Sequence, residues 1–370
     1  MNRFVLVSVF GYMTGPCFAA DGNMALLEAD VVPKSGYVVS ANQADHNLSA
    51  YQVDVRSGAL RPLVGSPFKT GRFPVSVTIS PDDKFIYVSN QGSHSISVFR
   101  LDRPRNTIEE IAGSPFPAGQ YPDSVAISPD GHFIYVTNED HDVVRVLRID
   151  PVTGALSPTE HVAGTGRHPI AVSIAPNGKF AYISNFYANS VAAYQIDQAS
   201  GALKPIGMPM ATDDHPIYIA ITPDTRFMYV ANYGSTTVSA FRIDEKSGEL
   251  SNVQGSPFNA GAKPYSVTVD ASEHYVHVAN WISHDISVFR MSPDTGALEE
   301  IAGSPYAAGL EHAFPYSVVI DSTSHFAYVA NNAQKSISVF TIDETNGGLH
   351  LVQNSPFESG SGPYSLAITH

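Results

Sequence analysis

A block of three short strands recurs along this chain with its punctuation intact, and that recurrence constrains the fold more than any other feature. In residues 73–100 the block reads FPVSVTISPDDKFIYVSNQGSHSISVFR. Pro74 opens an alternating strand through Val75, Val77 and Ile79, and Pro81, Asp82 and Asp83 make a tight turn. Residues 85–89 form a second strand, residues 90–93 turn again, and residues 96–99 form a third. The Asn that ends the second strand recurs at Asn42, Asn90, Asn138, Asn185, Asn232, Asn280 and Asn331, at intervals of 48, 48, 47, 47, 48 and 51 residues. The Pro that opens the first recurs at Pro74, Pro122, Pro169, Pro216, Pro264, Pro315 and Pro363. Both series count seven.

Between blocks a fourth strand is entered through a hairpin of the form Asp-x-x-Ser/Thr-Gly-x-Leu, as in residues 54–60, 150–156, 197–203 and 244–250. The Gly supplies the positive φ such a loop needs, and the Asp bonds the backbone two residues on. Four antiparallel strands recurring at roughly 45-residue spacing predict an all-β fold, a seven-bladed β-propeller over residues 36–370. The first block begins at Gly36 and Tyr37 in what is already a second strand, and residues 363–370 are a first strand without followers. The C-terminal strand is therefore expected to pair with the N-terminal three and close the ring. Blades 1 to 6 begin at Pro74, Pro122, Pro169, Pro216, Pro264 and Pro315, and the composite is blade 7.

The formal net charge of −14 and the lack of any basic run argue against nucleic acid and against a polybasic membrane contact. Residues 1–20 read as a secretory signal: Arg3 is the charged start, residues 4–13 are a short apolar run, and Cys17, Phe18, Ala19 and Ala20 end it. The run is too short to span a bilayer. With residues 21–35 as a lead-in, the mature protein is expected in the periplasm or outside the cell, without a membrane span. It would lack the chain's one cysteine, and with it any thiol nucleophile, disulfide or thiolate metal site.

Residues common to all copies serve what every blade needs, so function is sought where copies differ, around the channel mouth. The loops entering the inner strands place His168, His215 and Lys263 immediately before Pro in adjacent blades, with Arg167 beside His168. A three-residue insertion in blade 6 adds Glu311 and His312. After the Pro stand Val75, Asp123, Ile170, Ile217, Tyr265, Tyr316 and Tyr364, the three Tyr serving either as a channel plug or as a stacking surface. The turns after the second strands, including the acidic stretch around His141 and the single Trp, Trp281, are expected at the rim, capped by the recurring Asn.

A His pair with cations and a carboxylate suits general acid–base work on a carbonyl compound. His168 or His215 would act as base, with Arg167 and Lys263 holding an oxyanion or a substrate carboxylate; Asp123, Tyr265, Tyr316, Tyr364, His312 and Trp281 would contact substrate. Asp123, Asp213, Asp214, His215, Glu311 and His312 also leave a divalent cation open. No phosphate-cradling Gly-rich loop and no Gly-x-Ser-x-Gly elbow occurs, and no cofactor is expected.

The second strands FIYVSN (85–90), FIYVTN (133–138), FAYISN (180–185) and FMYVAN (227–232), preceded by Ser-Pro-Asp or its variants, resemble the YVTN-type seven-bladed propellers. Over residues 36–370 the chain is similar to the lactonase family that includes the propeller-type 6-phosphogluconolactonases and the fungal carboxymuconate-lactonizing enzymes. The resemblance implies cofactor-free hydrolysis or formation of a small carboxylated lactone by His, Arg and Glu at the mouth. Carried over by position, these would be His168, Arg167, His215 and Glu311. The competing expectation is a non-catalytic exported module whose Tyr265, Tyr316, Tyr364 and Trp281 surface holds a peptide, glycan or protein partner.

Overall fold

The computed structural model describes residues 36–369, so the expected signal segment and lead-in lie outside the described residues. Within them the seven blades form as the count of repeats predicts. Blade 1 runs outward as Pro74–Ile79, Phe85–Asn90, Ser95–Asp102 and Thr107–Glu110, each strand antiparallel to the next. Pro363–Ile368 pairs antiparallel with Tyr37–Asn42, Val38 facing Ile368, and Asn47–Val53 and Leu60–Pro62 complete blade 7. No helix among the described residues is long and apolar enough to cross a membrane.

Each second strand is buried on both faces because it lies between two neighbouring blades, which is why its sequence is apolar without alternation. Tyr87, Tyr182 and Tyr229 each donate a hydroxyl to the carbonyl of the hairpin Gly in the next blade, Gly154, Gly248 and Gly296, at 3.1, 3.0 and 2.8 Å. The hairpin Gly does more than turn the chain. At Gly154 φ is +76°, and a Cβ there would stand 2.4 Å from the ring of Phe85.

Five blades split the outer strand at a cis Ser-Pro, and the aromatic after the Pro begins a two-residue strand, such as Phe68–Lys69, against the third strand. The Ser hydroxyl there accepts from a third-strand N–H, as Ser114 does from Val98 at 2.9 Å, replacing the ladder bond lost at the break. Blades 2 and 3 lack the Ser-Pro and carry single nine-residue outer strands, Leu156–Gly164 and Leu203–Ala211, each with a register shift.

The seven Asn are fully buried, and the side-chain cap expected of them is absent at Asn90, Asn138 and Asn185. Their amides reach instead to the third strand, as Asn90 does to Ser97 at 3.0 Å and Asn331 to Ser338 at 2.7 Å, or to the entering loop, as Asn138 does to Gln120 O at 2.8 Å. These bonds from the buried amide nitrogens tie the loop, the second strand and the third strand together.

Candidate active site at the channel mouth

Two backbone features build the mouth. The residue before every inner-strand Pro is left-handed: Phe73, Tyr121, His168, His215, Lys263, Phe314 and Gly362 have φ between 44 and 71°. Its carbonyl accepts from the residue after the buried Asn, as in Phe186 N to His168 O and Trp281 N to Lys263 O, both 2.9 Å. The turns after the second strands are thereby drawn in against the entering loops. Gln43, Gln91, Glu139, Phe186, Tyr233, Trp281 and Asn332 make a second ring around the mouth.

Several rim residues tie one blade to the next. The N–H of Tyr121 donates to His94 Nδ1 at 3.0 Å, that of His168 to Asp142 Oδ1 at 2.7 Å, and that of His215 to Asn189 Oδ1 at 2.9 Å. His94 is thus an acceptor in a position that Asp and Asn fill elsewhere. Replacing His94 with Ala is expected to lower stability by about 1 kcal/mol, and with Asn to restore most of it, in urea denaturation; equal losses for both would remove the acceptor role.

Tyr265, Tyr316 and Tyr364 converge, with ring centroids 4.4, 4.8 and 5.8 Å apart and the hydroxyls of Tyr265 and Tyr364 in contact. They leave a cavity of only about 40 Å³ at this level, also walled by Asp123 and Tyr218. Burial raises the Tyr265 hydroxyl well above the usual phenol range, with Tyr364 adding to it. Deeper in the channel lies a chamber of about 300 Å³ lined by Ser76, Thr78, Ser124 and Ser173.

Against the tyrosines stands a carboxyl pair. Ser89 Oγ donates to the Asp123 carbonyl at 2.6 Å, fixing the start of that strand. Gln91 Nε2 donates to Glu139 Oε2 at 3.2 Å and reaches Asp123 Oδ2 at 3.5 Å. Burial first, then the charge of Glu139 and a hydrogen bond shared with it, push the Asp123 carboxyl well above the usual carboxylate range. His168 Nε2 lies 3.6 Å from the other oxygen of Glu139. Blades 1, 2 and 3 thus supply Gln91, Asp123 with Glu139, and His168.

From His168 an arc of rings crosses blades 3 to 6. His168 lies 4.6 Å from Tyr187, His215 stacks on Phe186 at 4.5 Å, and Tyr233 lies 5.8 Å from Trp281, which meets Tyr316 at 6.1 Å. Lys263 Nζ sits 4.2 Å over Tyr233, and the Arg167 guanidinium 5.8 Å over Tyr187. Of the residues singled out in the sequence, Asp123, His168, Arg167, His215, Lys263, Trp281, Tyr265, Tyr316 and Tyr364 belong to this connected assembly. Glu311 and His312 are exposed and line a separate outer groove of about 550 Å³, His312 facing His284 at 5.4 Å. Asp213 accepts from Thr237, which helps hold its carboxyl below the usual range, and Asp214 accepts from Asn189. Among the described residues no three His, Cys, Asp or Glu side chains gather to hold a metal ion. Glu139, Gln91, Phe186 and Tyr233 were not singled out, although reading the column after the Asn would have found all four.

A model of the seven-bladed β-propeller lactonase family matches residues 65–168, 159–262 and 219–310. Among solved structures, a candidate 6-phosphogluconolactonase from Bacteroides uniformis superposes with a TM-score of 0.79 at 17% identity, covering 90% of this chain and 99% of that one. The Pseudomonas aeruginosa periplasmic gluconolactonase superposes at 0.75 with 20% identity, covering 91% and 99%. No curated protein sequence matches. The family model spans well over half of the chain and the fold agrees throughout: the chain belongs to the seven-bladed β-propeller lactonase family.

Proposed function

We propose that this protein is an exported lactonase that opens a small carboxylated lactone at the channel mouth, and the observation that carries the reading is the Asp123–Glu139 pair beside His168. Asp123, its carboxyl pushed well above the usual carboxylate range, serves as the acid, while Glu139 orients His168 as the base. In the hydrolysis, His168, oriented by Glu139, takes a proton from water as the oxygen adds to the lactone carbonyl. Arg167 and Lys263 bear the negative charge that develops on that oxygen or sits on the substrate carboxylate. The ring C–O bond then breaks, and the Asp123 carboxyl gives its proton to the departing alkoxide. The product is the open hydroxy acid, and the proton on His168 returns to Asp123 through solvent.

Export is supported by the composition of residues 1–20 and by the periplasmic relative. The test is a panel of lactones, with and without carboxylate or phosphate groups, followed by acid release in a pH-stat. Ring opening well above the spontaneous rate is expected for at least one carboxylated member, and a panel-wide negative would remove the hydrolase reading.

A further inference from the structure

The second ring around the mouth is divided. Asn332, Gln43, Gln91 and Glu139 make one polar run, while Phe186, Tyr233 and Trp281 occupy three consecutive blades. Phe186 lies 6.2 Å from Tyr233 and Tyr233 5.8 Å from Trp281, with successive planes inclined by 37 and 35°. These rings form a shallow, continuous π surface. His215 stacks on Phe186 at an interplanar angle of 28°, covering one face of that ring.

Positive charge lies on the same side. Lys263 Nζ is above Tyr233, and Arg167 is above Tyr187, which is itself 53% exposed. Among the described residues neither cation is paired with a carboxylate. A flat ring carrying an anionic group would use both the π surface and the unneutralised charge.

We propose that the mouth binds a planar aromatic carboxylate, its ring on Trp281, Tyr233 and Phe186 and its carboxylate on Lys263. The substrate is then a lactone bearing an aromatic ring and an acid group, a step that rests on the lactonase reading, whereas the binding itself does not.

Trp281 is the only tryptophan in the chain, so emission excited selectively at tryptophan reports on this half of the mouth. The full-length mature protein is titrated with benzoate, with cyclohexanecarboxylate as the same charge without a π face, with benzyl alcohol as the ring without the charge, and with gluconate. Benzoate is expected to change the emission saturably and to bind at least roughly fivefold more tightly than the other three. Lys263→Met is expected to weaken benzoate about tenfold while leaving benzyl alcohol unchanged, with an unaltered circular dichroism spectrum. Equal binding of gluconate or cyclohexanecarboxylate, or no saturable response to benzoate, overturns the proposal. Lactone turnover without this discrimination would leave the hydrolase and remove the aromatic ligand; benzoate selectivity with no lactone opened would do the reverse.

Discussion

His277→Tyr is expected to stabilise the protein in mild acid and to flatten its stability between pH 6.5 and 4. His277 occupies the column filled by Tyr87, Tyr135, Tyr182, Tyr229 and Tyr328 in other blades, is fully buried, and has no hydrogen-bond partner on either ring nitrogen. Burial lowers it from 6.5 to about 4, against an opposing pull from Asp270, which is bonded to the N–H groups of His274 and Tyr275. The unfolded chain therefore takes up this proton first. Stability is full above pH 6.5 and falls as the pH drops toward 4, by roughly 3 kcal/mol over the window. Tyrosine removes that dependence and puts a hydroxyl where Tyr87, Tyr182 and Tyr229 bond the next hairpin. Urea denaturation at pH 7.5 and 4.5 checks this; parallel pH slopes for the two proteins would sink it.

Asp123→Asn, which removes the acid, and Glu139→Gln, which removes the carboxylate that orients the base, are each expected to lower kcat/KM for lactone opening by roughly 10² to 10⁴. The two should differ in their pH profiles. Removing the charge of Glu139 lowers the Asp123 carboxyl toward its ordinary value, so whatever activity remains in the Gln variant is lost at a lower pH on the alkaline side. Asp123→Asn should lose activity yet gain stability at neutral pH. A carboxyl raised on folding stabilises only while protonated, and that contribution is lost as pH rises through its folded value. A variant less stable than the parent at pH 8 would contradict the raised carboxyl.

The fold was legible because its information is periodic: seven prolines and seven asparagines state the blade count, and the incomplete first and last blocks state the closure. The mouth was half legible. The entering loops, with His168, His215 and Lys263, were read from their position before Pro. Glu139 and Gln91 were passed over because the radial position of a turn depends on a bond from another part of the blade, such as Gln91 N to Phe73 O at 2.9 Å, which spacing does not reveal. Glu311 attracted notice as an insertion, yet its loop opens toward the outer groove that also holds His284.

The pairing of Pro363–Ile368 with Tyr37–Asn42 also sets an order of events in folding. Val38 and Ile368 are separated by almost the whole described chain, so their contact carries a large loop-closure cost and is expected late. Tyr364 travels on that strand and stands among the rings at the mouth, beside Asp123. Until the strand docks, Asp123 lacks one of the rings that wall its cavity off from water. In the proposed mechanism, competence at the mouth is thereby contingent on a finished ring, and a chain stalled one strand short is expected to be inactive even with six blades already in place.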